Sequence, residues 1–241
     1  MNTALLPSLL PSIPQRIANE LAVKSNQIDA AVGLIDEGAT VPFIARYRKE
    51  ATGGLDDTQL RHLHERLSYL RELEERRLSI AKEIHGLGKL DDALRKKVAL
   101  AETKQRLEDL YLPYKVKRRT QAEIAKEAGL ESLADELLAD PTQVPEVCAA
   151  KYIREPFTTD AGDNPGVADT KAALDGASAI LTARLSQDAD LLTDLRDMLW
   201  HQGILVSEVV KDKESEGAKF RDYFEYSEAI AKVPPHRALA L

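Results

Sequence analysis

Apolar residues recur between residues 60 and 87 at the spacing that one face of an α-helix requires. The residues that follow this pattern are Leu60, Leu63, Leu67, Leu70 and Leu73 and, after a shift of register, Ile80, Ile84 and Leu87. Side chains three and four positions apart meet on the same helix face. A long helix with one apolar stripe must bury that stripe against neighbouring helices. The sequence therefore predicts an all-α (mostly) protein built as a multi-helix array.

Composition agrees with a helical fold. Of the 241 residues 44% are hydrophobic but only 5% are aromatic, a balance that favours helices over a β-sandwich or barrel. Cys148 is the only cysteine, which excludes a disulfide framework and a zinc site built on cysteines. No apolar run approaches the roughly 18 to 20 residues that a membrane span needs. A soluble, cytoplasmic protein without a membrane segment is predicted.

Turn and capping residues divide the chain into helices. A first helix carries Ile13, Ile17 and Leu21, and a second helix, with Ser25 as its N-cap, ends at Gly38. The helical period is lost over residues 41–57, which are predicted to form a loop. The long helix that follows is predicted to form one arm of an αα-hairpin.

The return arm of this hairpin starts at Asp91 or Asp92 and passes a break near Thr103. Pro113 ends it, so two domains are predicted, at 1–112 and 113–241. In the second domain Thr120 and Glu123 form a capping box for another helix. Residues 160–165 are a predicted loop, and a β-branched run near 204–210 predicts at most a short β element.

Residues that could carry catalysis or bind a metal do not converge in the sequence. His62 and His64 lie two positions apart on a predicted helix, so they point to different faces. The other three histidines have no partner at ligand spacing, and Cys148 lies among apolar residues with no nearby histidine. No catalytic residue, metal site or cofactor is predicted, and the chain is interpreted as a protein other than an enzyme.

Charge is distributed unevenly along the chain. The net charge is -7, but residues 1–120 contain 21 basic and 17 acidic side chains, whereas residues 121–241 contain 12 and 23. A polyanion is therefore expected to bind the first half. The alternative is that an excess of four positive charges spread over exposed helices serves only solvation.

Two basic runs are candidates for binding phosphate. In the first, Arg46, Arg48 and Lys49 precede a Gly-Gly turn and the start of the long helix, where free N–H groups favour an anion. Alternatively, Asp56 and Asp57 cap that helix themselves.

The second run joins the two predicted domains. Its basic residues and the tyrosines that flank them, which could stack on bases, are Lys115, Lys117, Arg118, Arg119, Tyr111 and Tyr114. Here the alternative is a solvated connector between two helical blocks.

Several strings in the sequence also resemble a known family. They are VPFIARYRKE at 41–50, TGGLD at 52–56, ETKQ at 102–105, LYLPYK at 110–115, KRRT at 117–120, FRDYF at 220–224 and PHR at 235–237. Together they resemble the Tex family of bacterial transcription accessory proteins. The resemblance implies a helix-turn-helix-like N-terminal part, followed in the family by an RNase-H-like domain, helix-hairpin-helix repeats and an OB-fold that carries most RNA binding. The chain is expected to be the N-terminal part of such a protein.

The resemblance and the basic runs together give the expected function. The chain is predicted to be a non-catalytic, monomeric scaffold in transcription that binds RNA or DNA weakly and without sequence preference. Most binding by the parent would fall to its other domains, and partners could include the transcription machinery. The alternative is a protein–protein docking module for the parent's other domains or for factors associated with RNA polymerase.

Overall fold

The computed structural model describes residues 5–115 and 119–241. The chain folds into two compact units, residues 1–115 and 116–241. The division falls three residues after the predicted domain boundary. This division changes the distribution of charge. Residues 1–115 contain 18 basic and 17 acidic side chains, a net charge of +1, because Lys117, Arg118 and Arg119 follow that range in the sequence. Any attraction of the first unit for a polyanion must therefore come from a local cluster of charges.

Helices are the only regular secondary structure among the described residues of the first unit. Its helices are α1 (Ile13–Leu21), α2 (Ser25–Asp36), α3 (Val41–Tyr47), α4 (Asp57–Gly86), α5 (Asp92–Leu100) and α6 (Lys104–Tyr111), followed by a 3-10 turn at Leu112–Tyr114. The leucine stripe is confirmed, because its five leucines are buried together with Ile80 and Ile84. Its predicted last member, Leu87, instead lies just beyond α4 and is 51% exposed. Although α4 is long enough to cross a bilayer, no helix in the described ranges combines that length with the apolarity that a membrane span needs.

The shift of register in α4 coincides with a buried arginine. Arg77 is 4% exposed, and its guanidinium donates hydrogen bonds to the backbone carbonyls of Val98, Ala99 and Ala101 at the end of α5. It also pairs with Glu74 one turn earlier, at 2.9 Å. The polar position between the leucines and the isoleucines therefore satisfies the carbonyls where α5 ends.

The break near Thr103 is confirmed, but it reverses the chain, so the return arm that was predicted to continue to Pro113 consists of α5 alone. Thr103 caps α6 by accepting a hydrogen bond from the Arg106 N–H, at 3.1 Å. Helix α5 runs antiparallel to α4, because it starts beyond the end of α4 and returns to Arg77. Helix α6 then runs parallel to α4, since Lys104 pairs with Glu72 and the later Tyr111 pairs with Glu83.

Three arginines five positions apart connect α4 to three different helices. The pairs are Arg66 with Glu20 of α1, Arg71 with Asp36 of α2, and Arg76 with Glu108 of α6. Each guanidinium donates to both oxygens of its carboxylate, a geometry that fixes direction as well as distance.

The loop predicted over residues 41–57 was partly wrong, because α3 occupies its first seven residues. Pro42 lies in the first turn, where its missing N–H costs nothing. Two turns with a single fully buried residue, Ile44, are too short to show helical periodicity in the sequence. The predicted N-cap of α2 was also displaced by one residue, since α2 begins at Ser25 and Lys24 holds the cap position.

The second unit combines short helices with two small hairpins. Its elements are α7 (Gln121–Glu127), α8 (Glu131–Ala139), α9 (Pro145–Ala149), β1 (Phe157–Thr159), β2 (Gly162–Asn164), α10 (Thr170–Leu185), α11 (Ala189–Gln202), β3 (Ile204–Glu208), β4 (Glu225–Ala229) and α12 (Pro235–Ala238), with 3-10 turns at Ala150–Tyr152, Ala218–Tyr223 and Ile230–Lys232. The Thr120–Glu123 capping box of α7 is confirmed. The mostly helical fold with a short β element is likewise confirmed.

Small residues form much of the core of the second unit, where α10 packs against α7, α8 and α9. The buried residues are Ala122, Ala125, Ala128, Leu130, Leu133, Ala134, Cys148, Ala149, Val167, Ala173, Ala177 and Ile180. Gly176 of α10 lies so close to this core that a Cβ there would fall 2.4 Å from the Leu130 Cδ1 atom. Alanine and glycine thus allow the helices to approach closely.

Two antiparallel hairpins complete the second unit. The predicted β-branched run forms β3, which pairs with β4 so that Ile204 lies opposite Ala229 and Glu208 opposite Glu225. The loop predicted over residues 160–165 was partly wrong, because β2 lies inside it and pairs with β1. The two strands have only three residues each. Neither β4 nor this hairpin was predicted, since such short polar strands carry no alternation.

Candidate nucleic-acid interface

The first basic run lies at the end of α3 and in the loop that follows. Arg46, Arg48 and Lys49 are all exposed. Among the residues that the structure describes, no carboxylate forms an ion pair with any of the three. Most other arginines of this unit, such as Arg66 and Arg71, are paired with acidic side chains. The run therefore presents three cations whose charge is available to an external anion.

A buried threonine holds the backbone of this run in place. The Thr52 hydroxyl, which is fully buried, lies within hydrogen-bonding distance of the carbonyl oxygens of Arg48 and Lys49, at 3.3 and 3.2 Å. The Gln27 amide of α2 donates to the carbonyl oxygen of Gly53, at 2.8 Å. At Gly53 φ is +60°, and a Cβ there would fall 2.9 Å from the Gln27 side chain, so glycine is required. The loop is thus fixed to the helical core, and the three cations are held on a constrained backbone.

Two aromatic rings lie beside these cations. Phe43 is 41% and Tyr47 63% exposed, and their ring centroids are 5.4 Å apart at 46°. The Arg48 guanidinium carbon lies 5.5 Å from the centre of the Phe43 ring. We call Phe43, Arg46, Tyr47, Arg48 and Lys49 the α3 patch. The sequence interpretation missed both rings, although their spacing of four would have placed them on one face once a helix was assumed.

The N-terminus of α4 offers no anion site, because its own sequence caps it. The Asp56 carboxylate accepts a hydrogen bond from the Gln59 N–H at 2.8 Å, and the Gln59 side chain accepts from the Asp56 N–H at 3.0 Å. Asp57 pairs with Arg61 at 2.7 Å. Of the two alternatives for this helix end, capping is therefore confirmed for Asp56.

The described residues of the second basic run have different surroundings. Lys115 is exposed, but it lies close to two carboxylates. The pKa of Glu83 is lowered mainly by the hydrogen bond from Tyr111, and that of Glu108 mainly by Arg76, while Lys115 adds a smaller effect to both. The surroundings of Lys115 are thus less positive than those of the α3 patch.

Tyr111 was wrongly expected to stack on bases. The side chain is 8% exposed, its hydroxyl donates to Glu83, and the Arg76 guanidinium covers its ring at 5.3 Å. These contacts place Tyr111 in the packing between α4 and α6. Tyr114 is half-buried.

Arg119 makes internal contacts with most of its donors. It donates to both oxygens of Glu127 in α7, and its Nη1 donates to the Asp163 carbonyl oxygen at 2.9 Å. The arginine therefore joins α7 to the β1–β2 hairpin, and its geometry fits a structural role better than the expected contact with phosphate. Lys117 and Arg118, also predicted to bind phosphate, lie outside the described residues.

Among the described residues, side chains that could bind a metal ion or act as a nucleophile do not cluster. In the two described ranges, no three His, Cys, Asp or Glu side chains come together as a metal site would require. Cys148 is buried in the core of the second unit, and burial raises the pKa of its thiol. A raised pKa disfavours the reactive thiolate.

Comparison with known families shows two matches. Residues 11–85 match the model of the Tex-like protein N-terminal domain, and residues 140–241 match that of the Tex central region-like family. The chain belongs to the Tex family. The family resemblance of the sequence strings is thus confirmed. The α3 patch lies inside the first matched region, whereas the 115–119 run lies between the two.

Several curated Tex relatives match almost the whole chain. Protein YhgF of Escherichia coli is 60% identical over 225 residues, which are 93% of this chain and 28% of the relative. The transcriptional accessory protein Tex of Neisseria gonorrhoeae is 53% identical over 230 residues, 95% of this chain and 29% of the relative. A human S1 RNA-binding domain-containing protein 1 is 29% identical over 217 residues, 87% of this chain and 21% of the relative. The chain thus spans less than a third of the length of these relatives.

Proposed function

We propose that this part of the Tex protein is a non-catalytic helical scaffold that binds RNA or DNA weakly and without sequence preference through the α3 patch. The observation that carries the proposal is the set of three exposed cations, Arg46, Arg48 and Lys49, without ion-pair partners among the described residues. Their backbone is held by Thr52 and Gln27, so binding requires little ordering of the loop.

The chemistry of these cations suits the phosphate backbone. Arginine and lysine neutralise phosphates irrespective of the base attached, so they position a nucleic acid without selecting its sequence. Three contacts are few compared with the 6 to 10 of many DNA-binding proteins. Affinity should therefore lie in the non-specific range, with Kd of about 10⁻⁴ to 10⁻⁶ M at physiological salt. We include Lys115, Lys117 and Arg118 as a second segment that could extend the contact.

A salt titration tests the proposal. The binding of fluorescently labelled single- and double-stranded DNA and RNA is measured by anisotropy between low and physiological salt. The triple variant Arg46→Ala, Arg48→Ala, Lys49→Ala should bind much more weakly, with a salt slope reduced by ~0.9 per lost duplex phosphate contact. No binding by the wild type at low salt would refute the proposal.

A matched control separates the α3 patch from net charge. The triple variant Arg61→Ala, Lys171→Ala, Lys213→Ala also removes three positive charges, but each of these residues already pairs with a carboxylate. We expect it to bind like the wild type. Equal losses in the two triple variants would mean that total charge, and not the α3 patch, governs binding.

The non-catalytic part of the proposal has its own test. One relative bears the name transcriptional accessory protein, which describes no reaction. The purified chain is incubated with labelled RNA and DNA, with and without Mg²⁺ or Mn²⁺. We expect no turnover. Degradation that depends on the metal and disappears when a single carboxylate is replaced would refute the scaffold proposal.

A second candidate function is protein docking through α11 and β3. Trp200 is 56% exposed, and Met198, Leu199, Ile204 and Val206 are exposed beside it in the chain. Isolated two-stranded sheets are only marginally stable, so an apolar face on one gains from being covered. The neighbouring Asp194 and Asp197 are exposed. A partner protein whose surface has an apolar centre and a basic margin would therefore be complementary to this region.

The single tryptophan makes docking directly measurable. Labelling with 5-fluorotryptophan gives one fluorine resonance, which should shift or broaden when purified RNA polymerase or the remaining part of the parent protein is added. A Leu199→Ser variant should weaken the effect, whereas Leu87→Ser, an exposed leucine on the first unit, should not. An unchanged resonance with both partners would exclude this candidate.

A further inference from the structure

We infer that the outer edge of β3 is completed by a third strand, which the part of the parent protein outside these 241 residues supplies. This strand runs antiparallel to β3, presents apolar side chains at alternating positions and places a basic side chain beside Glu208. The inference rests on the docking candidate proposed above for α11 and β3, and it adds the mode of contact and the chemistry of the partner.

Hydrogen bonds at the two ends of the β3–β4 hairpin show which backbone groups point outward. The Ile230 N–H donates to the Gly203 carbonyl oxygen at 2.9 Å, and the Val209 N–H donates to the Phe224 carbonyl oxygen at 3.1 Å. In an antiparallel pair, residues that bond across the ladder alternate with residues that do not. The odd-numbered residues of β3 therefore bond to β4, and the even-numbered residues turn their N–H and C=O groups outward.

The outward groups of β3 form an open edge. They belong to Ile204, Val206 and Glu208, and within the described part of the chain the sheet has only the strands β3 and β4. Edge strands usually carry lysine, proline or a bulge, which discourage further pairing. None of these occurs in β3, and its Ile204 and Val206 side chains are 63% and 56% exposed. Such an edge is a template for another strand.

Charge beside this edge indicates the chemistry of the incoming strand. Glu208 lies directly opposite Glu225, and like charges in this position destabilise a sheet. A cavity of about 820 Å³ is lined by both glutamates and by Val206, Glu214 and Arg221, so three carboxylates share it with one guanidinium. A lysine or arginine on the incoming strand would relieve the repulsion. Apolar side chains at alternating positions would cover the exposed face of β3.

The parent protein is the source of this strand because most of it lies outside the chain. The chain spans 28% of the Escherichia coli relative YhgF, so a Tex protein has ample further sequence to supply a strand. A strand tethered within the same polypeptide has an effective concentration of the order of millimolar when its linker is short. A separate protein at lower concentration would not compete with it.

Hydrogen exchange followed by mass spectrometry tests the inference in the 241-residue chain and in the full-length parent. Amides of β3 that bond to β4 should exchange slowly in both. The outward amides of Ile204, Val206 and Glu208 should exchange rapidly in the chain alone and at least about tenfold more slowly in the parent. Rapid exchange of these amides in the parent would refute the inference. Protection in the chain alone that rises with its concentration would also refute it, because the partner would then be a second copy.

A tethered probe tests the chemistry of the strand. The segment Lys-Thr-Val-Thr-Ile is joined to Leu241 by a flexible Gly-Ser linker, since Leu241 and Glu208 line one cavity. In the antiparallel arrangement its lysine lies opposite Glu208, its valine opposite Val206 and its isoleucine opposite Ile204. We expect this probe to protect the outward amides of the chain, and a probe with glutamate in place of lysine to protect them about fivefold less. Equal protection by the two probes would overturn the assigned chemistry.

Proline substitutions separate the edge of β3 from general damage to the hairpin. Val206→Pro removes an outward N–H but no bond to β4, so it should abolish protection by the probe while Leu205 and Ser207 stay protected. Ser227→Pro is the matched control, because it removes an outward N–H at the opposite edge, on β4, and should respond like the wild type. If Val206→Pro opens the hairpin, proline in place of the valine of the probe makes the same test on the unaltered chain.

The outcomes distinguish this inference from the docking candidate. Leu199 lies in α11 and supplies no backbone group to the edge of β3. If the tryptophan resonance responds to the remaining part of the parent but the outward amides exchange rapidly in the full-length protein, docking stands and the third strand is refuted. If neither changes, both fail. The nucleic-acid proposal is independent of these results, because the α3 patch lies in the other unit.

Discussion

The guanidinium of Arg119 donates to both carboxylate oxygens of Glu127, at 3.1 and 2.5 Å. This hydrogen bonding, together with that from Asn164, lowers the pKa of the Glu127 carboxyl. The Asn164 amide donates to Glu127 and also to the Ile124 carbonyl oxygen, at 2.9 Å, so arginine and asparagine hold the β1–β2 hairpin on α7. A residue that looks like a phosphate ligand in the sequence therefore belongs to the packing of the second unit.

Replacing Arg119 should weaken the fold and leave nucleic-acid binding nearly unchanged. Arg119→Ala removes the donors to Glu127 and to the Asp163 carbonyl, so we expect a lower midpoint of thermal unfolding. Arg119→Lys should recover little of that stability, because an ammonium cannot make the two parallel bonds. Differential scanning calorimetry and anisotropy on the same samples check both parts. Weaker binding at an unchanged midpoint would contradict this prediction.

Arg77→Met should destabilise the first unit strongly. Methionine fills much of the same space, but it removes the guanidinium donors from the carbonyls of Val98, Ala99 and Ala101. It also leaves Glu74 with only its longer pair to Arg16, at 3.6 Å. The expected loss in the free energy of unfolding is about 3 to 5 kcal/mol, as for other buried charge networks that lose one partner. Urea denaturation followed by circular dichroism measures it.

The exposed Arg61→Met is the control for this measurement. Arg61 pairs with Asp57 on the surface of α4, and exposed pairs of this kind contribute little. The urea midpoint of the Arg61→Met variant should match that of the wild type. Equal effects at positions 61 and 77 would mean that burial of the arginine does not determine its contribution.

Acid should weaken the contact between α4 and α6. The Arg76 guanidinium lowers the pKa of Glu108 below the ordinary glutamate value of 4.5. When the pKa of a carboxyl is lower in the folded state, its ionised form stabilises the fold. This stabilisation is complete when the pH is above the pKa of the unfolded state, and it is lost as the pH falls through the pKa of the folded state. Glu108→Gln should therefore be less stable than the wild type at pH 7, and the difference should shrink below about pH 4.5.

Urea denaturation between pH 7 and pH 3 measures this difference. Glu75→Gln makes the same change of charge at an exposed position that has no ion pair among the described residues. Its stability relative to the wild type should not follow the same trend. A gap between Glu108→Gln and the wild type that stays constant with pH would show that the Arg76 pair contributes nothing to stability.

Two glycines of the α2 region should respond to alanine with opposite signs. Neither Gly33 nor Gly38 has any atom within 4 Å of the place a Cβ would take, so only backbone conformation differs. Gly33 lies inside α2, where alanine should stabilise by about 0.5 to 1 kcal/mol. Gly38 has φ of +91°, where alanine should destabilise by about 1 kcal/mol or more. The midpoints of thermal unfolding of Gly33→Ala and Gly38→Ala, each compared with that of the wild type, test this prediction. Changes of the same sign would contradict it.

The sequence predicted those parts of the fold that local signals control. The leucine stripe of α4, its Asp56 cap, the break near Thr103 and the capping box of α7 all depend on residues within a few positions of one another. The partner of β3 could not be predicted in this way, because β4 is separated from it by the residues between 208 and 225 and shows no alternation of its own.

The candidate site depends on contacts that are distant in sequence, which explains the errors there. Arg119 bonds to the Asp163 carbonyl, 44 positions away, and Tyr111 to Glu83, 28 positions away. A basic or aromatic residue with such a partner looks the same in the sequence as one without. Conversely, Phe43 and Tyr47 are hydrophobic residues of the kind usually assigned to a core, and only the structure shows that they are exposed.

Because of the three arginine pairs of α4, the packing of the first unit depends on the length of this helix as well as on its side chains. A step of five residues turns a helix by about 140°, so Arg66, Arg71 and Arg76 point to three different sides and reach three different partners. One residue inserted between Arg66 and Arg71 would rotate everything after it by about 100°. Arg71, Arg76 and the C-terminal part of the apolar stripe would then face the wrong neighbours. A substitution at one of these three arginines removes a single ion pair, whereas a single insertion or deletion would disrupt all of these contacts together.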